Sequence, residues 1–144
     1  MILIIVSSVI LLDQITKFLA VRFLQLSVPV PLIKNFLNLT LVYNRGAAFG
    51  LFQNQFFWFV LVSLFAIGLI FLNLKNKNNS IILKVSLSLI LAGAIGNFID
   101  RLRFGFVIDF IDLRVWPVFN IADSVITIAA LVLTWELLFK KNAA

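Results

Sequence analysis

The sequence predicts an all-α membrane protein of four transmembrane helices, with a small β-like platform on the outer face. Three observations predict it. Of 144 residues, 62% are hydrophobic and 12% are charged, against about 45–50% and about 25% in an average soluble domain. A chain this short has too little interior to hide that much apolar surface, so much of it must face lipid. The apolar residues gather into four runs, each close to the roughly 20 residues that cross a hydrocarbon layer as a helix. Basic and polar residues flank these runs.

The four runs are about 2–24, 56–74, 81–99 and 121–139. Lipid offers no partner to backbone N–H and C=O groups, so each run must be helical. The first is read as a retained span rather than a removable leader. No basic stretch precedes it, no small-x-small cleavage pattern follows it, and it holds Asp13, Gln14 and Lys17. The turn at 75–80 contains Lys75 and Lys77, and the tail contains Lys140 and Lys141. An even number of spans puts these lysines and both termini on one side, which they mark as cytoplasmic. Lys34, Arg45, Arg101, Arg103 and Arg114 fall on the other side. The arginines there stand among aspartates, so they read as paired or site residues. Trp58, Trp116 and Trp135 lie near span ends, as interface anchors do.

Two outer segments connect the spans. In 27–55, Pro29 and Pro31 oppose helix, and 35–44 alternates well enough to favour strand. The small residues of 45–50 then make a bendable turn. This segment is expected to lie as a platform on the outer membrane surface. The second, 103–119, reads as a loop in which Trp116-Pro117 stops any helix before the last span. There is no internal repeat and no low-complexity tract. Residues 1–144 are read as a single integral membrane domain.

Composition also restricts the chemistry. The chain has no cysteine and no histidine, which removes disulfides, thiol nucleophiles, thiolate metal sites and imidazole bases together. A zinc peptidase would have to hold its metal with carboxylates alone, so neither metal nor cofactor is expected. The net charge of +6 would point to nucleic acid in a soluble protein. Here the basic residues flank apolar runs, so membrane lipids are the expected partner and nucleic acid is not.

The polar residues fall into three clusters. A mid-span aspartate costs roughly 2.5–3.5 kcal/mol on insertion scales, so each needs a reason. In Asp13-Gln14-Ile15-Thr16-Lys17 the acid precedes the base by four residues on one helix face, the favourable order for an ion pair. It reads either as a self-neutralising packing device or as a substrate contact. In the second cluster, Gly93, Gly96, Asn97 and Asp100 share a face, with Arg101 one turn above Asn97. Ala92-x-x-x-Gly96 lets another helix approach closely. Asn97 and Arg101 either seal the helix end or form a donor array beside a reaction centre.

The third cluster holds Asp109, Asp112, Asn120 and Asp123. Asn120 has the position of an N-cap and Asp123 lies three residues on, where an acid suits the helix dipole. Asp109 stands among Phe104, Phe106, Val107, Ile108, Phe110 and Ile111. A carboxyl group there is expected to hold its proton more tightly through desolvation. If the loop brings Asp109 and Asp123 together, one ionises while the other keeps the proton. Such a pair activates water on one carboxylate and donates to a carbonyl oxygen from the other.

Taken in order, the blocks Asp13-Gln14-x-x-Lys17, Asn44-x-Gly46-Ala47-Ala48-Phe49, Gly96-Asn97-x-x-Asp100-Arg101, Val107-x-Asp109-Phe110 and Phe119-Asn120-x-Ala122-Asp123-Ser124 resemble the lipoprotein signal peptidases, or type II signal peptidases. They cover nearly the whole chain without a departure at a motif position. The resemblance implies an intramembrane aspartyl endopeptidase of the bacterial cytoplasmic membrane. It would cut prolipoproteins N-terminal to their diacylglyceryl-modified cysteine. It implies a catalytic dyad of Asp109 and Asp123. Asn44, Gly46, Asn97, Arg101 and Asn120 would line the site, and Asp13, Lys17 and Asp100 would support the fold. The platform would be the family's extramembrane cradle with its adjoining mobile element, and the peptide antibiotic globomycin would inhibit. A monomer is the expected state. Two other classes stay open on the residues alone. One is a small transporter with Asp13 as a proton-coupled site; the other is a non-enzymatic subunit whose charges only lock helices together.

Overall fold

The computed structural model describes residues 1–46, 55–76 and 78–139. Four helices carry it: α1 (Ile2–Phe23), α2 (Phe56–Leu74), α3 (Ile81–Phe104) and α4 (Ile121–Phe139). Three strands accompany them: β1 (Val30–Ile33), β2 (Leu37–Asn44) and β3 (Val107–Asp112). Ala47, Ala48 and Phe49 of the second motif block, Gly50 at the end of the bendable turn, Lys77, Lys140 and Lys141 lie outside the described residues.

Among the described residues, α1, α3 and the stretch Phe57–Leu74 of α2 are long and apolar enough to cross a membrane. The outer surface of α2 shows why. Phe57, Trp58, Val62, Phe65 and Leu72 are all exposed, a surface that lipid covers favourably. α3 is the central helix and packs against α1, α2 and α4. Close approach follows from its glycines. A Cβ at Gly93 would meet the Ala122 carbonyl oxygen at 2.6 Å, and one at Gly96 would meet Asp13 Oδ2 at 2.6 Å. The small-residue pattern thus brings α1 and α4 against α3.

Two boundaries differ from the sequence reading. The expected third span ended at Ile99, but α3 continues to Phe104 and takes in Arg101 and Arg103. Basic residues in the last turn suit the helix dipole, and Gly105 ends the helix at φ 77° with its N–H on the Arg101 carbonyl at 2.9 Å. The expected loop 103–119 also contains a strand. β3 pairs antiparallel with β2 in the sheet β1-β2-β3. The apolar run that isolates Asp109 is long enough for six strand residues, and the sheet's packing on α1 and α3 buries the first four. Ala20, Leu41, Ile108 and Phe110 form that small core.

The return from β3 to α4 is tied by backbone bonds. Ile111 N–H donates to the Phe119 carbonyl at 2.8 Å, and Phe119 N–H returns to Ile111 at 3.0 Å. This places the start of α4 beside β3. Opposite ends of α3 and α4 are joined through side chains. Ser80 caps α3 by accepting from Leu83 N–H at 3.1 Å and donates to Glu136 at 2.9 Å.

Candidate active site

The first two polar clusters meet between α1, α3 and α4. Lys17 is 1% exposed and its ammonium reaches Asp13 Oδ2 at 2.9 Å and Asp100 Oδ2 at 2.8 Å. Its third bond goes to Asn97 Oδ1 at 2.9 Å. An ammonium has three donors, and all three are used. Asp13 Oδ1 accepts from Ala122 N–H at 2.9 Å, so an α1 side chain satisfies one of the open amides at the start of α4. Asp100 Oδ2 also accepts from Ile108 N–H at 3.2 Å, which ties α3 to β3. Asp13 is therefore sealed at a helix junction with both oxygens engaged. That arrangement fits the packing reading of this cluster rather than substrate contact or proton passage.

Gln14, named in the first cluster but given no role there by the sequence reading, bridges two acids. Its amide donates to Asp13 Oδ2 at 3.2 Å, Asp100 Oδ1 at 3.0 Å and the Gly96 carbonyl at 3.3 Å. The available signal was its place beside Asp13 in an apolar run.

Asp109 and Asp123 lie next to this cluster, and both line one cavity of about 260 Å³. Asn44, Gly46, Asn97 and Arg101 line it too. β3 holds Asp109 with its side chain 1% exposed. In the β2–β3 register Val42 faces Asp109 and Asn44 faces Val107, so Asn44 is Asp109's diagonal neighbour on one face of the sheet. Asn44 Nδ2 donates to Asp109 Oδ2 at 2.9 Å and Asn120 Nδ2 to Asp109 Oδ1 at 2.7 Å. Asp123 Oδ1 accepts from Asn97 Nδ2 at 2.7 Å. Asn120 is the expected N-cap, accepting from Asp123 N–H at 2.9 Å. Capping and facing the cavity are both satisfied at Asp123.

Each of the three asparagines is turned the same way. Its amide oxygen is fixed by a donor and its nitrogen is left for a carboxyl group. Gly46 N–H holds Asn44 at 3.0 Å, Asp123 N–H holds Asn120, and Lys17 holds Asn97. Arg101 stands over the Phe59 ring of α2, 5.1 Å from its centroid, at the cavity wall. The wall also includes Trp116, Phe119, Ile126 and Thr127. The sequence reading did not name these as site residues, although Trp116-Pro117 and Phe119 flank its third cluster.

Burial is the main influence on Asp109, followed by the negative charge of Asp123. Together they push its carboxyl up to about 7, against the opposing bonds from Asn44 and Asn120 and the positive charge of Lys17. Such a carboxyl group holds or gives up a proton near neutrality, as acid–base work requires.

Residues 5–139 match the family model described as signal peptidase (SPase) II. The chain belongs to the signal peptidase II family. The lipoprotein signal peptidase of Caldanaerobacter subterraneus subsp. tengcongensis is 46% identical over 142 residues, covering 97% of each chain. That of Halothermothrix orenii is 42% identical over 133 residues, covering 92% of each. A solved bacterial membrane enzyme superposes with a TM-score of 0.91 at 32% identity, covering 98% of this chain and 89% of that one. A second superposes at 0.85 and 34%, covering 96% and 92%. Family membership makes this signal peptidase II relative a membrane-embedded peptidase. Of the residues that line the cavity, Asn44, Gly46, Asn97, Arg101, Asp109 and Asp123 lie in the ordered sequence blocks.

Proposed function

We propose that the chain is an intramembrane aspartyl endopeptidase of the bacterial cytoplasmic membrane. It removes the signal peptide from prolipoproteins on the N-terminal side of the diacylglyceryl-modified cysteine. The observation that carries this is the shared cavity: Asp109 and Asp123 face it together, and Asn44, Asn97 and Asn120 donate to their carboxyl groups. With one proton between them, the ionised carboxylate takes a proton from water as the water attacks the scissile carbonyl carbon. The protonated one donates to the carbonyl oxygen. The step requires neither metal nor cofactor. Asn44, Gly46, Asn97, Arg101 and Asn120 line the reacting groups, and Asp13, Lys17 and Asp100 hold the helices that carry them.

The membrane arrangement belongs to the same proposal. α4 is the fourth span, both termini are cytoplasmic, and the sheet forms an outer platform beside the site. A signal peptide is itself an apolar helix, so it arrives laterally through lipid. The lipidated cysteine then sits at the membrane surface, where the peptide bond and water meet. The protein acts as a monomer among membrane lipids, and globomycin inhibits it. Cleavage of a diacylglyceryl-modified prolipoprotein by the purified protein tests the reading. Asp109→Asn and Asp123→Asn should each abolish cleavage while leaving membrane insertion intact. Near-normal cleavage by either variant sinks the dyad.

A further inference from the structure

We infer that Lys17 is a positioning residue of the reaction: it fixes the Asn97 side-chain amide so that an N–H points at the Asp123 carboxyl group. This rests on the dyad proposed above and goes beyond a supporting role for Lys17 in the fold.

An ammonium donates and never accepts. With Lys17 Nζ 2.9 Å away, Asn97 must turn its oxygen toward α1. Its nitrogen is then left on the α4 side, where it meets Asp123 Oδ1 at 2.7 Å. Asn120 Nδ2 approaches the same Asn97 oxygen at 3.1 Å, so a second donor enforces the same direction. A reversed amide would set its N–H groups against both of these donors and its oxygen against a carboxyl oxygen. The orientation holds whichever aspartate carries the shared proton.

The neighbouring asparagines lack an equivalent. Backbone N–H groups of Gly46 and Asp123 fix Asn44 and Asn120. Asn97 is oriented only by side chains from other elements, and Lys17 is the shorter and the charged one of its two donors. The ion pairs with Asp13 and Asp100 account for the buried charge of Lys17. The third bond accounts for something else, a connection from α1 through α3 to the reacting carboxyl group on α4. Losing it leaves the Asn97 oxygen held by the longer Asn120 bond alone, which loosens the amide and lets the Asp123 carboxyl group drift. Misplacement of a reacting group lowers the rate of the chemical step, and substrate binding is left nearly unchanged.

The experiment uses the full chain in detergent micelles, with kcat and KM for a diacylglyceryl-modified prolipoprotein scaled to the folded fraction. Lys17→Met is placed in an Asp100→Asn background, which leaves one buried carboxylate of the cluster rather than two without their cation. Relative to Asp100→Asn alone, kcat should fall about tenfold with KM within about twofold. Repeated in an Asn97→Ala background, the same change should cost less than about twofold, because the two residues act in series. An equal loss with and without Asn97, or no loss at all, overturns the inference. Should the Met variant fail to fold, Lys17→Gln in the Asp100→Asn background retains an N–H donor for Asn97. It should keep kcat within about threefold; a larger loss that persists in Asn97→Ala overturns the inference. Asp123→Asn in the same assay separates the two readings. Activity there removes the dyad and this inference together. An inactive Asp123→Asn beside an Asn97-independent Lys17 effect removes this inference alone.

Discussion

Two buried acidic groups lie side by side in this molecule and are treated in opposite ways. At the α1–α3–α4 junction, Asp13 and Asp100 share Lys17, and backbone amides of α4 and β3 take further lone pairs. At the cavity, Asp109 and Asp123 receive neutral amide donors from asparagines and face each other's charge. The first pair is compensated and sealed, so its energy goes into holding helices. The second is left in need of a proton and opens onto a cavity. The surroundings separate a pair suited to holding helices from one suited to the proposed reaction, and Asn97 is the residue at which the two settings touch.

The sharpest way to break this contrast is to neutralise one member of each pair. Asp109→Asn or Asp123→Asn should reduce cleavage by about 10³-fold or more, read as product formed by folded protein. Asp13→Asn should leave measurable turnover in the fraction that folds, since Asp13 is sealed away from the cavity.

Next in size is the loss of compensation at the junction. Lys17→Met leaves two buried carboxylates without their cation and should destabilise by about 3–5 kcal/mol, seen in thermal unfolding of the detergent-solubilised protein. A wild-type melting curve would show that the junction is not held by this charge.

Close packing beneath the junction gives a smaller effect. A Cβ at Gly96 meets Asp13 Oδ2 at 2.6 Å, and that oxygen is tied to Lys17 and Gln14 and cannot swing aside cheaply. Gly96→Ala should cost about 1–3 kcal/mol by overpacking. Gly68, with nothing within 4 Å, supplies the control: Gly68→Ala on α2 should not destabilise. Equal melting temperatures for the two variants would contradict the packing account.

The smallest effect concerns protons. The folded state holds the Asp109 proton up to about 7, whereas its ordinary value is 3.8. Wild-type stability relative to Asp109→Asn is therefore greatest below about pH 4 and is lost as pH rises through about 7. Cleavage should fall over the same upper range, because the pair loses its shared proton. A stability difference that is flat across this window would show that the acidic pair is compensated after all.

Much of this was legible in the chain. The apolar runs gave the helices because lipid allows few other solutions. The Asp13–Lys17 spacing gave an ion pair because helix geometry alone brings those residues together. Asn120 gave a cap for the same local reason. Asp109 stood out as an acid without a local partner, and the ordered motif blocks joined it to Asp123. The strand β3 was read as loop, since an apolar run of that length has no local feature that separates strand from buried loop. Its pairing with β2 is a long-range contact.

The sequence by itself determined the membrane class, the four helical runs, the absence of thiol and imidazole chemistry and the two aspartates at one end. These follow from composition and from contacts within a few residues. Only the tertiary structure decided that Asp13 would cap α4 at Ala122, that Gln14 would bridge two acids, and that three asparagines would turn their nitrogens toward the acidic pair. Local backbone N–H groups fix the Asn44 and Asn120 oxygens, but the Lys17 donor to Asn97 and the carboxyl group that each nitrogen meets arrive from other elements. No spacing along the chain brings those together.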